Sequence, residues 1–163
     1  MTISDETTNY NMAYKRAMKY LAVSPKTTTE LVQYLMKSGV QNSIAESIII
    51  AFTEKGWLND LTYSQRFIEK AFHEKKKGRL WIEQALLRKG INEDVVNVAF
   101  TEYEDMDTFV EVDEALNFAR NAILSNRFKS GNILQKLFQT LSRRGYSQET
   151  IERVFRELNL DLS

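Results

Sequence analysis

Three tandem three-helix repeats, an all-α fold, are what this sequence predicts, on three observations. Apolar residues recur at helical spacing over most of the chain, and alternating β-branched runs are few. One proline and six glycines punctuate 163 residues, which suits long helices better than many strands and turns. Three stretches also end alike: "QYLMKSGV" at 33–40, "QALLRKGI" at 84–91 and "QTLSRRGY" at 139–146. Each places a glutamine six residues, and a leucine four residues, before a glycine.

The first repeat, residues 10–59, opens with a helix striped by Tyr14, Ala17, Met18 and Leu21. Its second helix sets Leu31 and Leu35 four apart, on one face. Lys37 falls in the last turn, where a cation favours the negative helix end, and Gly39 suits the left-handed residue that often follows. "QNS" can cap a third helix carrying Ala45, Ile48, Ile49 and Phe52. "GWLNDLTY" (56–63) is the joint to the second repeat, residues 60–104, with Asn59 or Asp60 as the cap. There the stripes are Phe67, Ile68, Ala71 and Phe72, then Ile82 and Leu86 before Gly90. "NED" follows, then Val96, Ala99, Phe100 and Tyr103. "EDMDTFVEVD" (104–113) leads to the third repeat, residues 110–160. Its first helix carries Ala115, Phe118, Ala119, Ala122 and Ile123, and a longer joint, "LSNRFKSGN", follows. Leu137 and Leu141 precede Gly145, and "SQE" precedes Ile151, Val154, Phe155 and Leu158. Because such repeats touch chiefly their neighbours, an elongated array is expected.

Composition narrows the function classes. With 43% apolar and 27% charged residues, the chain reads as soluble and globular. It has no cysteine, so disulfide and thiolate chemistry are excluded. No apolar run approaches the roughly 18 residues of a membrane span. The polar start "MTISDETTNYN" lacks the pattern of a signal peptide, so a cytoplasmic protein is expected. His73 is the only histidine, which spells out neither a metal cluster nor a catalytic triad. No glycine-rich phosphate loop is present, and the acids at 102–114 lack calcium-loop spacing and read as a solvated linker. Neither an enzyme nor a metal or other cofactor is expected.

The net charge is zero, but it is sorted. Residues 61–101 carry eight basic and five acidic side chains, 102–117 carry seven acidic and none basic, and 118–163 carry eight basic and four acidic. Lys75, Lys76, Lys77, Arg79, Arg88 and Lys89 are the densest basic group, and Arg143 and Arg144 occupy the places of Arg88 and Lys89 in the third repeat. Clustered cations can neutralise phosphates, and Trp81 could stack on a base. The bland alternative is a solvated face whose cations answer helix dipoles, and on spacing alone it has the stronger claim. Trp57 and Trp81 are assigned first to packing.

The block "GWLNDLTYSQRFIEKAFHEKKKGRLWIEQALLRKGI" (56–91) resembles the central block of the RecX family of bacterial recombination regulators. The likeness runs through Gly56, Trp57, Leu58, Asn59, Asp60, Phe67, Lys75 to Gly78, Ile82, Leu86 and Lys89 to Ile91. It extends over residues 10–160, since that family too consists of three tandem three-helix repeats. Asn59 stands where the family usually has an acid, and the acidic second joint has no counterpart in the family pattern. The resemblance implies an elongated, curved array and a non-enzymatic, monomeric modulator of the RecA recombinase. Such a protein binds RecA, docks in the groove of the RecA–DNA filament and restrains ATP hydrolysis, strand exchange and coprotease activity. Its partners would be the RecA filament and, mainly through it, single-stranded DNA. By position, the resemblance makes Lys75, Lys76, Lys77, Arg79, Arg88 and Lys89 the contact residues, with Arg143 and Arg144 next. A stand-alone helical DNA-binding protein and a generic helical interaction scaffold also fit the residues.

Overall fold

Nine α-helices and no strand occupy the residues that the computed structural model describes, which are 3–106, 111–125 and 132–160. The helices form three successive triplets. The first is α1 (Ile3–Val23), α2 (Thr28–Lys37) and α3 (Asn42–Glu54). The second is α4 (Asp60–His73), α5 (Arg79–Arg88) and α6 (Glu93–Met106). The third is α7 (Glu111–Leu124), α8 (Ile133–Arg143) and α9 (Gln148–Glu157). The central parts of the acidic joint and of "LSNRFKSGN" lie outside the described residues.

The recurring glycine closes the middle helix of every triplet. Gly39, Gly90 and Gly145 hold φ of +79°, +78° and +86°. Their amides donate to the carbonyls of Met36, Leu87 and Ser142, and the next residues, Val40, Ile91 and Tyr146, donate to Leu35, Leu86 and Leu141. This bond pair satisfies carbonyls that a helix end leaves open, and it requires the left-handed residue. The caps that follow differ. Asn92 accepts from the amide of Asp94 and Ser147 from that of Thr150, whereas Gln41 precedes α3 with no side-chain cap.

By contact the chain divides into two compact units. Unit 1 is Met1–Ser64 with Leu86–Val96, and unit 2 is Gln65–Ala85 with Asn97–Ser163. The core of unit 1 includes Ala13, Ala17, Leu31, Leu35, Ala45, Ile48, Phe52 and Leu58, all buried. Unit 2 has a core of Val112, Ala115, Leu116, Phe118, Ala119 and Ala122 from α7, Leu137 and Leu141 from α8, and Ile151, Val154 and Phe155 from α9. One expected core residue of each unit lies at the margin: Met18 of unit 1 is 44% exposed and Ile123 of unit 2 is 37% exposed. The buried stripe of α1 is turned by one position, onto Ala13 and Ala17, whose small side chains let α2 and α3 come close. Each fully buried leucine, isoleucine or phenylalanine contributes about 1.5–3 kcal/mol relative to exposure.

Candidate functional site

The three lysines at 75–77 do not form one solvated face. Helix α4 ends at His73, and the turn after it closes with the amide of Lys75 on the Lys70 carbonyl and that of Lys77 on the Ala71 carbonyl. Lys76 adopts a left-handed backbone, φ +50°, so the three side chains diverge. Lys75 is exposed, its ammonium 5.7 Å from the Phe67 ring centre. The Lys77 ammonium stands 4.8 Å over the Trp81 ring, and Trp81 stacks on Phe67. Burial lowers the Lys77 pKa, with help from the charges of Arg144 and Lys75. Lys76 turns inward to the carboxylate of Glu114, at 2.5 Å, and Glu114 is only 7% exposed. The same carboxylate lies 3.3 Å from His73 Nδ1, and the other ring nitrogen of His73 meets the Tyr103 hydroxyl at 2.9 Å. Arg144 secures the turn from across unit 2. Its guanidinium donates to the carbonyls of Lys75 and Lys76, at 3.0 and 2.8 Å, and lies over the Phe118 ring.

Unit 1 contains a tie between the start of α2 and the glycine turn after α5. Thr27 caps α2 in a reciprocal box: its hydroxyl accepts the Glu30 amide and the Glu30 carboxylate accepts the Thr27 amide. The Thr27 hydroxyl also donates to the Lys89 carbonyl, and that of Thr29 to the Gly90 carbonyl, each at 2.9 Å. Asp60 Oδ1 accepts the amide of Thr28 at 2.8 Å. Asn59, not Asp60, caps α4, through the amide of Thr62. The Lys89 ammonium meets Glu30 at 2.7 Å. Burial acts against both charges, but hydrogen bonding from Lys89 and the Thr27 amide, with the charges of Lys89 and Lys26, holds the Glu30 pKa below its usual range. The Lys89 pKa is raised, its burial outweighed by Glu30 and Tyr63.

Unit 2 repeats this tie between the start of α5 and the glycine turn after α8, using the backbone itself. The amide of Gly78 donates to the Arg144 carbonyl at 2.9 Å, and that of Leu80 to the Gly145 carbonyl at 3.1 Å. Glu111 Oε1 accepts the amide of Arg79 at 2.7 Å, as Asp60 does for Thr28, and its other oxygen accepts the Thr150 hydroxyl. Thus Glu111 and Glu114 correct the reading of the acidic block as a solvated linker: both are fastened inside unit 2. Burial raises the Glu111 pKa, opposed by the Arg79 amide and the Thr150 hydroxyl. The Arg79 side chain is half-buried, paired with Glu83 at 2.7 Å and lying over Phe100.

The eight cations therefore sort by commitment. Lys76, Lys77, Arg79, Lys89 and Arg144 are half-buried and bound to neighbours. Lys75, Arg88 and Arg143 are exposed; Arg143 returns only to the Gln139 carbonyl of its own helix. Of each repeated pair, the first cation faces water and the second holds the fold. Lys75, Lys76, Lys77 and Arg144 are brought together within unit 2. Sequence reasoning missed Thr27, Glu30, Glu111 and Glu114. One signal was available: Asp60 and Glu111 stand at the same spacing as Thr28 and Arg79, the amides they accept.

Two models of one family match the chain, "RecX, first three-helix domain" over residues 13–50 and "RecX, second three-helix domain" over 59–99. Both stretches are RecX-family domains. It is similar to the regulatory protein RecX of Lactobacillus gasseri, at 27% identity over 91% of this chain and 54% of that protein. It is also similar to that of Bacillus cytotoxicus, at 29% over 90% and 53%. The chain thus spans about half the length of the curated relatives it matches. A crystal structure of RecX from Lactobacillus salivarius shares the fold, with TM-score 0.83 and 22% identity over 94% of this chain and 98% of that one. Asp60 lies within the second matched stretch, and the Thr28 amide it accepts lies within the first. Among the described residues no helix is long and apolar enough to cross a membrane, and no group of three histidines or acids could hold a metal ion.

Proposed function

We propose that the chain binds the RecA recombinase and its filament on DNA. There it modulates, mostly by inhibition, ATP hydrolysis, strand exchange and coprotease activity in recombinational repair and the SOS response. It acts in the cytoplasm as a monomer, by binding rather than by catalysis, and without a cofactor. One observation carries this reading beyond the family match. Arg88 and Arg143 stay exposed at equivalent places while their neighbours Lys89 and Arg144 are consumed by the fold. Exposed cations that reach no other helix are available to an acidic protein surface or to phosphates. Lys75 belongs to the same set, and Lys76, Lys77, Arg79, Lys89 and Arg144 support it by holding the turns in place.

The test is the ATPase of purified RecA on single-stranded DNA, titrated with the chain, together with capture of RecA from a bacterial lysate with and without nuclease. Suppressed hydrolysis and nuclease-resistant capture are expected. Capture lost to nuclease, with hydrolysis unaffected, would point to a stand-alone DNA-binding protein. Capture of other proteins alone would point to a scaffold.

A further inference from the structure

Three residues recur at equivalent places in or just after all three middle helices, namely a glutamine, a leucine and a glycine. The fold accounts for two of them. Leu35, Leu86 and Leu141 are fully buried, and Gly39, Gly90 and Gly145 hold left-handed backbones. Packing does not account for the third. Gln33, Gln84 and Gln139 are all exposed, and their amides make no side-chain hydrogen bond among the described residues. Four residues on, one turn along the same face, stand Lys37, Arg88 and Arg143, exposed as well. The residue just before each cation is Met36, Leu87 or Ser142, so only the polar pair keeps its chemistry.

We infer that Gln33, Gln84 and Gln139, each with the cation one turn on in its own helix, hydrogen-bond directly to the sugar-phosphate backbone of nucleic acid. Charge favours this partner. The acids of α2 and α5, Glu30 and Glu83, are paired with Lys89 and Arg79, and α8 has none. Each middle helix therefore presents a cation that no free acid of its own helix opposes, beside a neutral amide, the donor set that positions a phosphate backbone without reading sequence. A protein partner would instead call for a constant apolar centre with a polar rim, and the position beside each cation is not held apolar. This inference rests on the exposed-cation reading above and deepens it by adding the glutamines and Lys37.

The test is anisotropy of a labelled oligothymidylate with the full chain, without RecA, between about 50 and 200 mM salt. The parent, a Gln33→Ala, Gln84→Ala, Gln139→Ala variant and a Lys37→Gln, Arg88→Gln, Arg143→Gln variant are compared, with circular dichroism melts as the control for folding. The glutamine variant is expected to bind about tenfold more weakly at every salt, with an unchanged salt slope, since neutral hydrogen bonds release no counterions. The cation variant is expected to lose about two from the slope, near 0.7 for each phosphate no longer neutralised. Parent-like binding by the glutamine variant overturns the inference. So does a parent that binds no strand alone while the glutamine variant fails on the RecA filament, which assigns the face to protein. A parent that ignores the filament in the ATPase assay but binds the strand as described refutes the RecA reading and leaves this one standing.

Discussion

The two ties, one in each unit, do the same work by different means. In unit 1, α2 caps itself with Thr27 and Glu30, and threonine hydroxyls reach out to the Lys89 and Gly90 carbonyls. In unit 2, α5 has glycine at the corresponding place, and its bare amides make the contact. A side-chain bridge keeps two backbones apart and can rotate. A backbone-to-backbone contact brings them together and cannot, and the unit 2 tie therefore has the smaller tolerance for change.

Alanine at the glycine turns breaks this comparison most strongly. A Cβ on Gly145 would run into the backbone of Trp81, so Gly145→Ala combines left-handed strain with a rigid clash. A loss of about 3 kcal/mol or more is expected. On Gly90 the nearest atoms all belong to the Thr29 side chain, its Cβ at 2.6 Å among them, so the start of α2 must shift and the Thr29 bond to Gly90 is given up, and about 2 kcal/mol is expected. On Gly39 nothing lies within 4 Å, leaving the strain alone, about 1 kcal/mol. Urea unfolding midpoints check the order, and equal losses would dissolve the contrast.

What the sequence made legible follows from the same difference. Helical periodicity and the Gly-terminated stretches marked the triplets, because buried leucines and left-handed glycines leave local signatures. The two-residue pattern of Arg88–Lys89 and Arg143–Arg144 was visible too, but not the division of labour inside it. Lys89 and Arg144 are committed to Glu30 and to the Lys75 and Lys76 carbonyls, partners 59 to 69 residues away that no local pattern names. Glu111 and Glu114 looked like linker charges for the same reason. Their carboxylates are explained by the Arg79 amide, Lys76 and His73, which come near only in the folded chain.

Acid sharpens the comparison with a smaller effect. The Glu30 pKa is held below its unfolded value, so its contribution is present above that value and is lost as pH falls through the folded one. Glu111 is the reverse case. Burial raises its folded pKa, so the charged form opposes folding, and protonation relieves that as pH falls through the raised value. Mild acid should therefore stabilise unit 2 before stronger acid weakens unit 1. Trp57 lies in unit 1 and Trp81 in unit 2, so the fluorescence of Trp81→Phe and Trp57→Phe variants during denaturation reports each separately. Parallel pH profiles would contradict the assignment, and Glu111→Gln should abolish the gain in unit 2.

The central claim is that the first cation of each repeated pair serves a partner and the second serves the fold. Suppression of the RecA–single-stranded DNA ATPase, measured beside urea unfolding, tests it in one experiment. Arg88→Glu with Arg143→Glu should lose suppression by about tenfold or more, while stability changes by no more than about 1 kcal/mol per site. Lys89→Met with Arg144→Met should lose about 2 kcal/mol or more of stability, yet suppress as the parent does wherever it is folded. Full suppression by the Arg88→Glu, Arg143→Glu variant would contradict the account.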